Sequence, residues 1–152
     1  MLRTFVLFAL LAAGVSAWDH FQFDITFLCH LKNRPHFNFR IEWFEHDSTT
    51  ANDQITQPLT SRGKMGAHSF SMAGAQDGDG PGSYGYSPIA KISHDCTSDK
   101  KRVDMKLTIT TRCGVGHNCH YRIIRDLTDD WGKYEMAAND FKFEMTPFPD
   151  FP

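Results

Sequence analysis

Apolar and polar residues alternate along much of this chain with a period of two, the pattern of strands that bury one face and wet the other. Phe21, Phe23, Ile25 and Phe27 alternate with Gln22, Asp24 and Thr26. Phe37, Phe39, Ile41 and Trp43 alternate with Asn38, Arg40 and Glu42, and Val103, Met105, Leu107 and Ile109 with Asp104, Lys106, Thr108 and Thr110. A short last strand is predicted over Phe141, Phe143 and Met145. Less regular stretches predict strands near Gln54 to Pro58, around His68 to Met72 and at Ile89 to His94. Lys32-Asn33-Arg34-Pro35 is a polar connection of hairpin length between the first two strands. Asp77-Gly78-Asp79-Gly80-Pro81-Gly82 reads as a loop, within a flexible connection expected from Ala73 to Gly85. No stretch holds a convincing helical period, although Arg122 to Asp130, with Ile123, Ile124 and Leu127, suits either one short helix or another strand. No internal repeat is present. The pattern predicts an all-β fold: an antiparallel sandwich of two sheets, with at most one short helix.

The N-terminus breaks the alternation. Met1-Leu2-Arg3 leads into an apolar run from Thr4 to Ala13 that is too short to cross a bilayer as a helix, and Val15-Ser16-Ala17 places small side chains where a signal peptidase inspects them. Residues 1–17 therefore read as a secretory signal cut before Trp18, residues 18–146 as a single domain, and residues 147–152 as a tail. Its prolines lack the donors of a central strand, so the tail is expected to trail over the surface. Cleavage leaves 135 residues carrying 15 Lys plus Arg against 18 Asp plus Glu. That balance does not suggest a nucleic-acid partner. No later segment is apolar and long enough to span a membrane, and no terminal motif suggests a lipid anchor. The mature chain is expected to be soluble and extracellular.

Cys29, Cys96, Cys113 and Cys119 would meet an oxidising compartment, where two disulfides are expected. Three connectivities are open. Gly114 and Gly116 would let the segment between Cys113 and Cys119 fold back into a local bridge, which would leave Cys29 and Cys96 as the long-range pair.

Several landmarks, taken in order, resemble the nematode transthyretin-like family. An alternating strand ends in Phe27-Leu28-Cys29, a polar proline turn follows, and a second strand closes in Trp43-Phe44-Glu45-His46-Asp47. Tyr86 to Cys96 is similar to the family's proline-bearing strand ending in His94-Asp95-Cys96. A basic alternating strand, Lys101 to Thr111, comes next, and Tyr134 to Glu144 resembles the final strand. The likeness spans roughly Phe21 to Glu144, and only Cys29 and His94-Asp95-Cys96 are specific. Leu31-Lys32-Asn33-Arg34-Pro35 stands where the family has Gly-Lys-Pro, and the cysteine that soon follows His-Asp-Cys is missing. Cys113 and Cys119 stand in its place, the mark of a divergent member.

The resemblance implies a secreted binding protein with a small apolar molecule, a cell-surface molecule or a protein as ligand, and no cofactor. Its architecture is shared with transthyretin, a hormone carrier, which implies a homo-oligomeric carrier as one alternative, so either a monomer or a dimer is admissible. It is also shared with a hydrolase of a purine breakdown product that uses His and Arg and a C-terminal Tyr-Arg-Gly-Ser. This chain ends in Phe151-Pro152, so catalysis is not expected, and an extracellular hydrolase is the other alternative.

Candidate chemistry is sparse. His117, Cys119 and His120, with His94 and Asp95, offer metal-ligating atoms, yet an oxidised Cys119 supplies no thiolate, and no metal site is expected. Asp77 and Asp79 are too few oxygens for calcium. His94 and Asp95 lack a Ser or Cys nucleophile at a matching spacing, so a structural role beside Cys96 is expected. Thirteen Phe and three Trp mostly fill the core, whereas Phe148 and Phe151 continue past the last strand as candidate ligand-binding aromatics. No Asn-x-Ser/Thr sequon occurs.

Overall fold

The computed structural model describes residues 18–32, 34–46, 51–77 and 85–140. The signal, the strand expected over Phe141 to Met145, the tail with Phe148 and Phe151, and most of the Asp77 to Gly82 loop lie outside them.

Nine strands occur in chain order among the described residues: β1 (Asp19–Cys29), β2 (His36–Glu45), β3 (Leu59–Lys64), β4 (Gly66–Gln76), β5 (Pro88–His94), β6 (Val103–Ile109), β7 (Cys119–Asp126), β8 (Gly132–Met136) and β9 (Asn139–Asp140). They form a sandwich of a four-stranded sheet, β4-β1-β7-β9, and a five-stranded sheet, β3-β2-β5-β6-β8. The all-β, two-sheet expectation holds.

Its details are corrected in three places, and one open alternative is decided. The sheets are mixed rather than purely antiparallel, because β1 pairs with β7 and β6 with β8 in parallel. Alternation reports which face is wet and carries no information about a neighbour's direction. The first two strands do not form a hairpin: β1 lies in one sheet and β2 in the other, so the Pro35 connection crosses between them. Of the two alternatives for Arg122 to Asp130, strand is the one found: Cys119–Asp126 pairs with β1 on one side and β9 on the other. Near Gln54 to Pro58 there is one bridge, Phe44 with Gln54, and the strand itself begins at Leu59.

β4 also runs to Gln76, through Ala73 to Ala75 that had been expected to lie in a loop. Small side chains weaken the strand signal there, but the register with β1 extends from Asp19↔Gln76 to Cys29↔Gly66. One of these residues has to be small. A Cβ on Gly74 would stand 1.9 Å from the Ile55 carbonyl oxygen, where residues beyond β2 cross the inner side of β4.

The core follows from the two longest alternating runs. Phe21, Phe23, Ile25 and Phe27 face Phe37, Phe39, Ile41 and Trp43 across the sandwich, all buried. Phe23 stacks on Trp43 at 4.0 Å between ring centres, and Phe27 meets Phe39 edge to face at 5.2 Å. Each such side chain contributes about 2 kcal/mol by burial. Two disulfides fasten this core, Cys29–Cys96 and Cys113–Cys119. The first ties β1 of one sheet to the end of β5 in the other across a separation of 67 residues, the second closes 6. In the chain-entropy view they stabilise by about 4 and about 2 kcal/mol.

Candidate functional site

Each half of the His94-Asp95-Cys96 motif has a structural job. His94 ends β5 on the inward side, opposite Phe39, with 1% of its surface exposed. Burial pushes its imidazole below the ordinary value, opposed by the backbone and charge of Asp130. Asp95 clamps the start of β2: its carboxylate accepts from the Asn38 N–H and the Asn38 side-chain amide, both at 2.7 Å, and pairs with Arg34 at 3.2 Å. Burial alone would raise the Asp95 carboxyl, but those donors and the Arg34 charge hold it below the usual carboxylate range. Cys96 carries the disulfide to β1. The motif thus staples β5, β2 and β1 together.

The expected candidates near the second disulfide separate in the same way. His117 Nδ1 lies 3.1 Å from the Val115 carbonyl, whereas His120 Nε2 lies 2.6 Å from an Asp24 carboxylate oxygen. The loop between Cys113 and Cys119 is tied down by Gly116, whose φ is 81° and whose N–H donates to buried Asp19 at 2.9 Å. With both cysteines oxidised, no thiolate is on offer, and no cluster of three His, Cys, Asp or Glu among the described residues is placed to hold a metal ion.

Asp24, His120 and Ser71 do meet, on the outer face of the four-stranded sheet. Ser71 Oγ donates to one Asp24 oxygen at 2.6 Å and His120 holds the other, with Gln22 also donating. Burial works against ionisation of Asp24, but these donors outweigh it and keep the carboxyl below its ordinary value. The carboxylate stands between hydroxyl and imidazole, so the ring is not the serine's hydrogen-bond partner. A nucleophile needs its base adjacent, and this arrangement does not provide it.

The outer face of the five-stranded sheet is different. Its outward strand positions carry Arg62 and Lys64 on β3, Arg40 on β2, Lys91 on β5, Lys106 on β6 and Lys133 on β8, against Glu42, Asp104 and Glu135. Within that set the register places Lys91 opposite Lys106 and Lys106 opposite Lys133, three lysines in one row across three adjacent strands. Like charges directly opposite each other destabilise a sheet.

Two of the three neighbouring carboxylates, Glu42 and Asp104, are committed elsewhere, and Glu135 stands opposite Thr108. Glu42 stands opposite Lys91 but is taken by Arg40 at 3.2 Å and by the Gln54 amide at 2.8 Å. Asp104 accepts from Ser93 and Arg102, and the Ser93 hydroxyl first, then Arg102, hold it low. Lys91 lies over the Phe44 ring at 4.1 Å. No carboxylate among the described residues lies within ion-pair distance of Lys106 or Lys133. An open cleft of about 520 Å³ runs over this row, lined by Lys91, Ser93, Arg102, Lys106 and Lys133 together with the carboxylate of Asp104. A smaller one of about 210 Å³ adjoins it through Ser93 and Arg102 and reaches Asn38, Arg40 and Thr60, with His94 and Asp95 of the motif also in its wall. Neither gathers two histidines.

Sequence reasoning missed this row. Lys106 was visible as an outward residue of its strand, but the alignment of Lys91, Lys106 and Lys133 exists only through strand order and register, and β8 runs parallel to β6 from the other side of an intervening strand in the opposite sheet. Compared with known proteins, the chain matches no family model and no curated sequence.

Proposed function

We propose that this chain is a secreted, extracellular binding protein of the transthyretin-like kind, and that it captures an acidic partner on the outer face of its five-stranded sheet. The observation that carries the reading is the Lys91, Lys106, Lys133 row. Apart from the contact of Lys91 with Phe44, a fold gains nothing in stability from three lysines in one cross-strand row, and a ligand that neutralises them would account for it. Two disulfides fit an oxidising compartment. Secretion itself rests on residues 1–17.

The chain as a whole is slightly acidic, with a sequence pI of about 6.4. At pH 7.4 an evenly charged protein of that kind would pass a sulfonated resin. A segregated basic face predicts retention instead, with flow-through after Lys91→Thr, Lys106→Thr and Lys133→Thr are combined. Passage of the wild-type protein through the resin would contradict the reading. Expression from the native start codon in a secreting cell should yield medium protein beginning at Trp18, and retention inside the cell would remove the extracellular part.

A second reading, the homo-oligomeric carrier, draws on β4. This 11-residue strand ends its sheet, with β1 on one side and no ladder partner among the described residues on the other. A long free edge is a template for pairing with a second copy. Light scattering decides between them: a dimer that dissociates when Pro replaces Ser71 supports the carrier, a monomer at all concentrations removes it.

A further inference from the structure

We propose that the acidic partner is a linear sulfated polysaccharide lying along the lysine row, with a sugar ring packed against Trp131; this deepens, and rests on, the binding reading above. Three observations point to it. Neighbouring strands lie about 4.8 Å apart, so the row sets the three lysine backbones at a regular interval over a span of about 10 Å. A repeating ligand charge matches a repeating row better than does a single carboxylate or phosphate. The cleft above it is open to solvent rather than closed into a pocket, which suits an extended chain better than an enclosed small molecule.

The charges are those of lysine in the row itself. Lysine is a compact point charge without the planar fork by which arginine grips one phosphate or carboxylate in two places, so the row reads charge density along a polymer rather than the shape of one group. Trp131 adds the sugar. It is 62% exposed and directly precedes Gly132 and Lys133, which line the cleft. An aromatic ring offers a flat apolar surface to the C–H face of a pyranose, a contact that polyphosphate does not have. An extracellular setting favours the polysaccharide over a membrane, because anionic lipid is concentrated in the cytoplasmic leaflet.

The test is binding of the secreted protein to a heparin dodecasaccharide, to polyphosphate of similar charge, to phosphatidylserine vesicles and to single-stranded DNA, each across a series of salt concentrations. Near-ultraviolet circular dichroism checks that every variant is folded. Heparin is expected to bind, with log K falling linearly as log salt rises, and each Lys→Thr change in the row should take about one unit off that slope. Trp131→Ala is expected to weaken heparin about fivefold and to leave polyphosphate unchanged.

Equal binding of heparin and polyphosphate, with Trp131→Ala affecting neither, would overturn the polysaccharide while leaving the acidic-partner reading in place. Vesicles or DNA bound through the same lysines in preference to heparin would overturn it in favour of that ligand. If no polyanion binds above background at 0.05 M salt, both this inference and the reading it rests on fall.

Discussion

The two outer faces of the sandwich obey the same rule of strand alternation and end in opposite electrostatic states. On the four-stranded sheet, Asp24 accepts from Ser71, His120 and Gln22, Thr26 shares a hydrogen bond with Ser69 at 2.8 Å, and β4 contributes Ala67, Ser69, Ser71, Ala73 and Ala75. Polar groups there are matched within the protein. On the five-stranded sheet, Lys106 and Lys133 face each other without a carboxylate between them. A face whose polar groups satisfy one another has finished its chemistry at folding. One that folds with a charge conflict is left able to bind.

That contrast can be broken most strongly at Asp24. Asp24→Ala removes the acceptor of His120, whose side chain is only 8% exposed, and should destabilise the fold by about 2 kcal/mol. The midpoint of urea unfolding would fall with its slope unchanged. Asp104→Ala, on the other face, removes an exposed carboxylate and should leave the midpoint within about 0.5 kcal/mol of wild type. Equal losses at the two positions would erase the distinction.

A smaller effect separates the core from both faces by pH. His94 has its folded value pushed below its ordinary 6.5, so in acid the unfolded chain takes up a proton that the native ring resists. Its contribution is fully present above 6.5 and is lost as pH falls below that. Thermal melts should drop between pH 7 and 5, and His94→Gln should flatten this interval. The lowered carboxyls, Asp24 and Asp95 among them, act later, losing their contribution only as pH falls below 3.8. A wild-type curve level from pH 7 to 5 would show that the ring carries no such penalty.

The smallest expected change runs against the usual direction. Lys106→Glu turns two repulsive cross-strand pairs into attractive ones and should stabilise the protein by about 0.5 kcal/mol, raising Tm by about 2 °C. The same variant should lose polyanion binding. A variant that loses stability together with binding would mean that Lys106 has a structural role, and the conflict described here would be absent.

How much of this was legible beforehand varies with the kind of information required. The runs from Phe21 and Phe37 named their own strands and their own buried faces, because alternation is local. Direction and order were not local. Ile123 and Ile124 are equally apolar, and only the pairing of β7 with β1 shows that Ile123 is buried while Ile124 stands 58% exposed. The Cys113–Cys119 bridge could be imagined from Gly114 and Gly116, whereas the crossing of β1 to the opposite sheet had no mark in Lys32 to Pro35. The lysine row was the least readable feature. Its members come from three separate strands, and each alone is an ordinary wet residue.

Under the proposed function the five-stranded face binds a polyanion and the four-stranded face does not. Titrating isotope-labelled protein with a heparin oligosaccharide and following backbone amide shifts tests it directly. The account predicts shifts concentrated at Lys91, Lys106, Lys133 and Trp131, with Gln22, Asp24, Ser71 and Arg122 unmoved. Shifts centred on the latter group, or none anywhere at saturating ligand, would contradict it.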